Sequence, residues 1–379
     1  MKEKGLVLVT GGMGFIGSHL SRRLVGIGYP VRVMDNLDSQ VHSGAQREPP
    51  CGVEFVQGDV RDPSAWERAL EDVRVVFHEA AAVGIGQSMY QISRYVHVNT
   101  LGTANLLDHL ANKEHDVDKL IVASSNTVYG EGAYECERCG VVYPGLRSED
   151  LLRKGVWEPL CPVCGLGAVS AVPTNEEKPL RPTSIYATTK RDQEEMSLQI
   201  GRAYGISTTV LRYFCVYGPG QSLTNPYTGV AAIFHSRVRA GQPPVVYEDG
   251  EQTRDFVNVR DVVQANVLAM RKRAMGGDCF NVGTGVPTSV MRVAQAVIEI
   301  CAADMEPYVP GQYRSGDIRH CYADIAKIER HGYRPSVGFR EGMKEFLEWA
   351  MTQKSADRFN QASEELASRG LVSRGRKVA

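Results

Sequence analysis

Short apolar, β-branched runs alternate with amphipathic stretches along the first part of the chain. "LVLVT" (6–10) has no polar face, the mark of a strand buried on both sides. "SHLSRRLVGIG" then carries helical periodicity, and "VRVMD" (31–35) reads as the next strand. Later, "TTVLRYF" (208–214) and "DCFNVGTG" (278–285) read as further strands. Strands alternating with helices predict an α/β fold, a doubly wound parallel sheet with helices on both faces. The last sheet strands arrive after residue 190, so a smaller C-terminal lobe is expected to interleave with the sheet. Polar residues from about 355 predict an end that frays.

The junction between the first strand and its helix is "GGMGFIG" (11–17). Strand, glycine-rich turn and helix together make a dinucleotide site. Gly11 permits the turn, Gly14 lets backbone approach a pyrophosphate at the helix N-terminus, and Gly17 lets helix and strand pack closely. Phe15 and Ile16 open that helix. Asp35 ends the second strand, with Asn36 beside it. A carboxylate there accepts hydrogen bonds from both ribose hydroxyls of NAD and repels the extra phosphate of NADP.

The spacing Gly-x-x-Gly-x-x-Gly resembles the extended, nucleotide-sugar-modifying branch of the short-chain dehydrogenase/reductase superfamily. The likeness runs over about residues 5–350, through several motifs in order. It implies adenine contacts from Asp59 and Val60 in "FVQGDVRD". It implies Ala80 and Ala82 of "VFHEAAA" against the cofactor, and Asn99 of "VNTLGTANLL" at a structural or water-holding position. "IVASSNTVYG" resembles the active-site serine strand and "YATTK" the Tyr-x-x-x-Lys motif. The resemblance thus implies Ser125, Tyr186 and Lys190 as catalytic residues, with Tyr186, Lys190 and Tyr213 also touching NAD. Tyr186 and Lys190 stand four apart and share a helix face. An ammonium there is expected to lower the phenol's pKa and make it a base.

Family dehydratases carry Asp-Glu after the active-site Ser/Thr. Here Asn126 and Thr127 stand there, and neither does carboxylate acid–base work. Epimerisation at C4 of a nucleotide-diphosphate sugar, through a 4-keto intermediate, is the reaction this implies. The likeness is strongest to enzymes of the dTDP-L-rhamnose 4-epimerase type, forming dTDP-6-deoxy-L-talose. A UDP-hexose or UDP-uronate 4-epimerase is the alternative, and a non-catalytic NAD-binding protein the alternative from another class. For the substrate, the resemblance implies Ser125, Asn126, Arg254, Arg314 and Asp317. It also implies Cys215, where the family often has Asn. Arg319 is either a phosphate contact or surface. Guanidinium groups suit phosphate because their donors lie in a fixed plane.

Composition adds one departure. Of nine cysteines, Cys136, Cys139, Cys161 and Cys164 form Cys-x2-Cys-x21-Cys-x2-Cys. Such paired knuckles predict a closed, structural zinc site in a zinc-ribbon-like insertion, residues 131–175. Between them the charges are mixed, Arg147, Arg153 and Lys154 against Glu149, Asp150 and Glu158, so no basic patch forms. The expected organisation is 1–190 for the NAD-binding domain with its insertion, 191–350 for the last sheet strands and the substrate lobe, and 351–379 for a tail. Net charge is −1 and pI about 6.8, which gives no electrostatic case for nucleic acid or membrane. No apolar run reaches ~18 residues, and "MKEKGLVLVTGG" lacks a signal peptide's apolar region. A cytoplasmic enzyme is expected, and the family resemblance implies a homodimer formed through "GTANLLDHL" and the helix after Tyr186.

Overall fold

The structure, a computed structural model, describes residues 5–42, 48–165, 167, 169–227 and 229–374. Residues 166 and 168 of the expected insertion and 375–379 of the expected tail lie outside the described residues.

The first five strands are β1 (Leu6–Thr10), β2 (Val31–Asp35), β3 (Val53–Gln57), β4 (Val73–His78) and β5 (Lys119–Ser125). After β5 the chain makes a small antiparallel sheet from β6 (Ala133–Cys136), β7 (Gly140–Val142) and β8 (Ser170–Val172). It returns with β9 (Ser207–Tyr213), leaves for β10 (Cys215–Tyr217) and β11 (Thr253–Asn258), and returns again with β12 (Asp278–Val282). Short strands follow: β13 (Pro287–Ser289), β14 (Gln312–Arg314), β15 (His320–Cys321) and β16 (Val372–Arg374).

The main sheet has seven strands in the order β12-β9-β5-β4-β1-β2-β3. Every pairing in it is parallel. Strand order reverses at β1, so the carboxyl ends of β1 and β4 part and leave a crevice. Alternation assigns the two faces. Val7, Val9, Val33, Phe77 and Ile121 pack into one apolar cluster, while Leu8, Met34, Val76, Leu120 and Val122 pack into another. This is the Rossmann-type α/β fold expected from the apolar runs. A second lobe has its own core, including Tyr217, Phe234, Phe256, Val293 and Phe346.

The stretch from about 355 to 374 departs from expectation. Instead of fraying, it forms a helix, Phe359–Ser368, and β16 pairs antiparallel with β14. The helix buries Ala362 and Leu366, and Arg237 reaches Asp357 and Asn360 at its start. Tertiary docking outweighs the polar composition.

Candidate active site

The crevice opens into a cavity of ≈ 610 Å³ that runs from the glycine turn to the second lobe. Gly11, at φ +64°, adopts the left-handed region that glycine favours. At Gly17 a Cβ would meet the Gly11 carbonyl at 2.3 Å, so helix Phe15–Gly26 could not pack on its strand. Gly11, Gly14, Phe15, Ile16 and Gly17 all line the cavity. So do Asp35, Asn36, Val60, Ala80 and Ala82. Asp35 accepts from the backbone N–H groups of Met13 (3.1 Å) and Leu37 (2.9 Å), which fixes the carboxylate at the end of β2.

Two of the expected cofactor residues are not among those lining the cavity. One is Asp59, whose carboxylate accepts from Arg61 (2.7 Å) and Asn36 (2.9 Å). Asn99, fully buried in a π-helical turn, accepts from Ala82 N–H (2.7 Å) and donates to Ala82 O (3.0 Å) and Thr189 Oγ1 (2.9 Å). It braces the cofactor wall against the helix that carries Tyr186 and does not face the cavity.

That helix spans Ile185–Tyr204, with the Ser184 hydroxyl capping Ala187 N–H. Tyr186 donates its backbone N–H to Ser88 Oγ at 3.0 Å, and its ring meets that of Tyr95 edge-on at 6.4 Å. Ser125 ends β5 opposite. Its hydroxyl accepts from Thr127 N–H (3.2 Å) and Thr127 Oγ1 (2.9 Å). Lys190 donates to the Ala123 carbonyl at 2.9 Å. Ser125, Tyr186, Lys190 and Tyr213 line one pocket. The expected lowering of the phenol's pKa is not found. Burial pushes Tyr186 up to about 12, against a smaller downward pull from Ser125. Burial also pulls Lys190 down to about 8, against an upward push from Glu79.

Glu79 was not foreseen. It follows β4, lines the cavity and accepts from Tyr213 Oη at 2.8 Å. Burial raises its carboxyl to about 7. The signal in the sequence was a charged residue at the carboxyl end of a buried strand. Asn126 is a further correction. It is buried in the turn after β5, and Thr127 takes its place in the lining.

In the second lobe, Cys215, Arg254, Arg314 and Asp317 line the cavity. Burial raises the Cys215 thiol to about 11, so it is neutral. Arg254 donates to the carbonyls of Ile318 (2.7 Å) and Arg319 (3.0 Å). Arg314 stacks over the Tyr247 ring, 4.8 Å from its centre, and its buried Nε has no protein partner. Asp317 helps to hold Arg314's pKa above the usual arginine value. Arg319 is neither surface nor lining. It is 1% exposed, paired with Glu158, Glu248 and Asp249. The far wall includes Tyr227, which accepts from Tyr90 Oη (2.8 Å) and donates to Glu365 (2.5 Å) on the C-terminal helix.

In the insertion, the Sγ atoms of Cys136, Cys139, Cys161 and Cys164 all lie within 4.8 Å of one another. The knuckle backbones turn at Gly140 (φ +70°) and Gly165 (φ +67°). Backbone N–H groups of Cys164 and Val163 help pull the Cys161 thiol down to about 6. Such a cluster can hold a metal ion. Among the described residues, no helix is long and apolar enough to cross a membrane.

Known proteins resemble this chain in sequence and in fold. The profile of the NAD dependent epimerase/dehydratase family matches residues 7–144 and 163–283. The break between the two matched stretches falls inside the cysteine-bearing insertion. A dTDP-L-rhamnose 4-epimerase from Burkholderia thailandensis is 36% identical over 355 residues, covering 90% of this chain and 94% of its own. The UDP-glucose 4-epimerase of Thermotoga maritima, solved with UDP-glucose, superposes with a TM-score of 0.75 at 32% identity, over 91% of this chain and 98% of its own. That of Thermus thermophilus, solved with NAD, gives 0.72 at 33%, over 92% and 100%.

Proposed function

We propose a reaction for this chain, which belongs to the NAD dependent epimerase/dehydratase family: inversion at C4 of a nucleotide-diphosphate sugar, converting dTDP-L-rhamnose to dTDP-6-deoxy-L-talose. The observation that carries this is the meeting of Ser125, Tyr186 and Lys190 in one pocket, with no carboxylate at residues 126 and 127.

The residues fit NAD. A Cβ at Gly17 would close the turn, and Asp35 lines the cavity with its carboxylate held by Met13 N–H. Gly11, Gly14, Phe15, Ile16 and Gly17 would hold the pyrophosphate side, Asp35 and Asn36 the ribose, and Val60 the adenine, with Ala80 and Ala82 lying against the cofactor. When bound, the oxidised nicotinamide supplies a positive charge, accepts hydride from C4 and later returns it.

The protein's own groups handle the proton. Ser125 Oγ accepts from Thr127 twice, which leaves its O–H free to donate to the sugar's O4. Tyr186 Oη takes the C4 hydroxyl proton as the C4–H bond breaks, leaving a ketone. A phenol held near 12 is protonated at rest, so its base form needs positive charge nearby. Lys190 contributes its ammonium, anchored on Ala123. After the keto sugar turns over, the same phenol returns the proton to O4. Arg314 and Arg254 grip the diphosphate during the turn, with Asp317 holding Arg314's charge. The free Nε of Arg314 supports this, since a buried guanidinium donor needs an acceptor. Asn126, Asp59 and Asn99 act by support. The T. maritima neighbour keeps a UDP-hexose substrate as the second reading.

The cysteines fit zinc. Cys136 and Cys164 Sγ stand 3.8 Å apart, the spacing of about 3.8 Å that tetrahedral Zn–S bonds of about 2.3 Å require. Four thiolates leave no open position, so the zinc is structural and the insertion is zinc-ribbon-like. A cytoplasmic homodimer completes the reading. The exposed Ile92, Val96 and Leu101, beside helix Gly102–Asn112, support the dimer. The test is proton NMR of the protein with dTDP-, UDP- and GDP-sugars and no added reductant. The expected result is conversion of dTDP-L-rhamnose to its C4 epimer without net NADH. No conversion of any sugar contradicts the proposal.

A further inference from the structure

Residues 145–162 fall outside the family match, and there the insertion reaches back to the pocket. Arg147 is the link, with a side chain only 2% exposed. Its guanidinium engages Glu248 fork to fork, Nη1 to Oε2 and Nη2 to Oε1, both at 2.8 Å. The same two nitrogens donate to the Trp157 and Asp317 carbonyls, both at 3.0 Å. One side chain therefore ties together the insertion, the turn at Glu248 and the loop after β14.

Glu248 and Asp317 line the cavity, whereas Arg147 does not. Glu248 sits at φ +56°, a conformation a non-glycine residue holds only when its surroundings impose it. Arg319 grips the same carboxylate at 3.0 Å. Strand alternation in β14 points two neighbours in opposite directions. Tyr313 faces the insertion, donating to Glu149 at 2.9 Å and packing on Trp157 at 6.1 Å between ring centres. Arg314 faces the cavity. The loop that follows is held by Arg147 through Asp317 and by Arg254 through Ile318 and Arg319.

We propose that Arg147 is a positioning residue for the substrate, carrying the fold of the cysteine-bearing insertion into the wall that grips the nucleotide diphosphate. This rests on the reading that Arg314 and Asp317 face that diphosphate. The insertion thus shapes the pocket without touching the sugar through Arg147. The effect falls on substrate affinity, because Ser125, Tyr186 and Lys190 stand on other elements.

The experiment uses the full chain, with calorimetric titration of dTDP, UDP and NAD and steady-state kinetics on the sugar that turns over. Arg147→Gln raises KM and weakens binding of the preferred nucleotide by about tenfold, while kcat and NAD affinity stay within about twofold. Arg147→Lys, which keeps the charge and loses the fork, falls between. Arg147→Gln with Glu248→Gln replaces the ion pair by an amide pair and recovers part of the loss, since position 248 no longer carries a charge that Arg319 alone must hold, and Arg319 keeps Glu158 and Asp249. A fall in kcat at unchanged KM, or a parallel loss of NAD affinity, overturns the positioning role. So does loss of folding in both the single and the paired Gln variants, which marks a purely structural contact. Wild-type protein that binds neither dTDP nor UDP overturns the reading of the pocket and this role with it. Wild-type protein that binds one of them, with Arg147→Gln unchanged, overturns the positioning role alone.

Discussion

Tyr213 donates to the carboxyl of Glu79 at 2.8 Å, in the pocket that also holds Lys190. Burial holds this carboxyl near 7 and the Lys190 ammonium near 8. The neighbouring His78 is buried and held neutral down to about 3, so it takes no part near neutral pH. Glu79's negative charge pushes the Lys190 pKa up. Its removal therefore lets Lys190 lose its proton at lower pH. For Glu79→Gln, the basic limb of the kcat/KM profile moves to lower pH than in wild type, because that limb follows the free enzyme's ionisations. A limb that stays in place, or moves up, shows that the two groups do not interact.

Tyr186→Phe removes the only atom assigned to carry the proton. Turnover falls by about 10²–10⁴-fold, the usual worth of a positioned acid–base group. NAD affinity is retained, because the glycine turn and Asp35 are untouched. A variant that keeps wild-type turnover makes the non-catalytic alternative the better account.

Under the active-site strand lies a buried ion pair between Arg212 and Glu194, with side chains 4% and 3% exposed. Arg212 also donates to Tyr129 Oη at 2.8 Å, and Ser124 donates to Glu194 at 3.0 Å. Glu194→Gln leaves a buried guanidinium without its counter-charge and costs about 3–5 kcal/mol. Urea denaturation reads this as a lower midpoint at unchanged slope. A midpoint equal to wild type contradicts the assignment.

The cysteine cluster predicts one zinc per chain by metal analysis, lost in Cys136→Ser and in Cys161→Ser. Chelation lowers the melting temperature, because the metal supplies folding energy to a segment with a small core. Metal-free protein whose melting temperature is insensitive to chelator contradicts a structural zinc.

Much of this architecture is legible from local pattern. The glycine turn, the Val- and Leu-rich strands, the Tyr186/Lys190 spacing and the cysteine knuckles each encode their geometry within a few residues. What escapes is set by distant partners. Arg147 and Glu158 read as ordinary mixed charge, yet they are held by Glu248 and Arg319, about a hundred or more residues away. The C-terminal helix is polar in composition and ordered by Arg237 and the cavity wall. The phenol's pKa went the other way because burial outweighs the downward pull of the Ser125 hydroxyl. Asn126 turned inward for a similar reason: one residue's step after a strand end reverses what faces the pocket.

The central claim is that one hydride leaves C4 and returns to C4 without meeting solvent. The direct measurement is NMR and mass analysis of dTDP-L-rhamnose carrying deuterium at C4, epimerised in ordinary water. The account predicts a C4 epimer that keeps its deuterium at C4. A product that has exchanged it for solvent hydrogen contradicts the account, since the hydrogen then left as a proton.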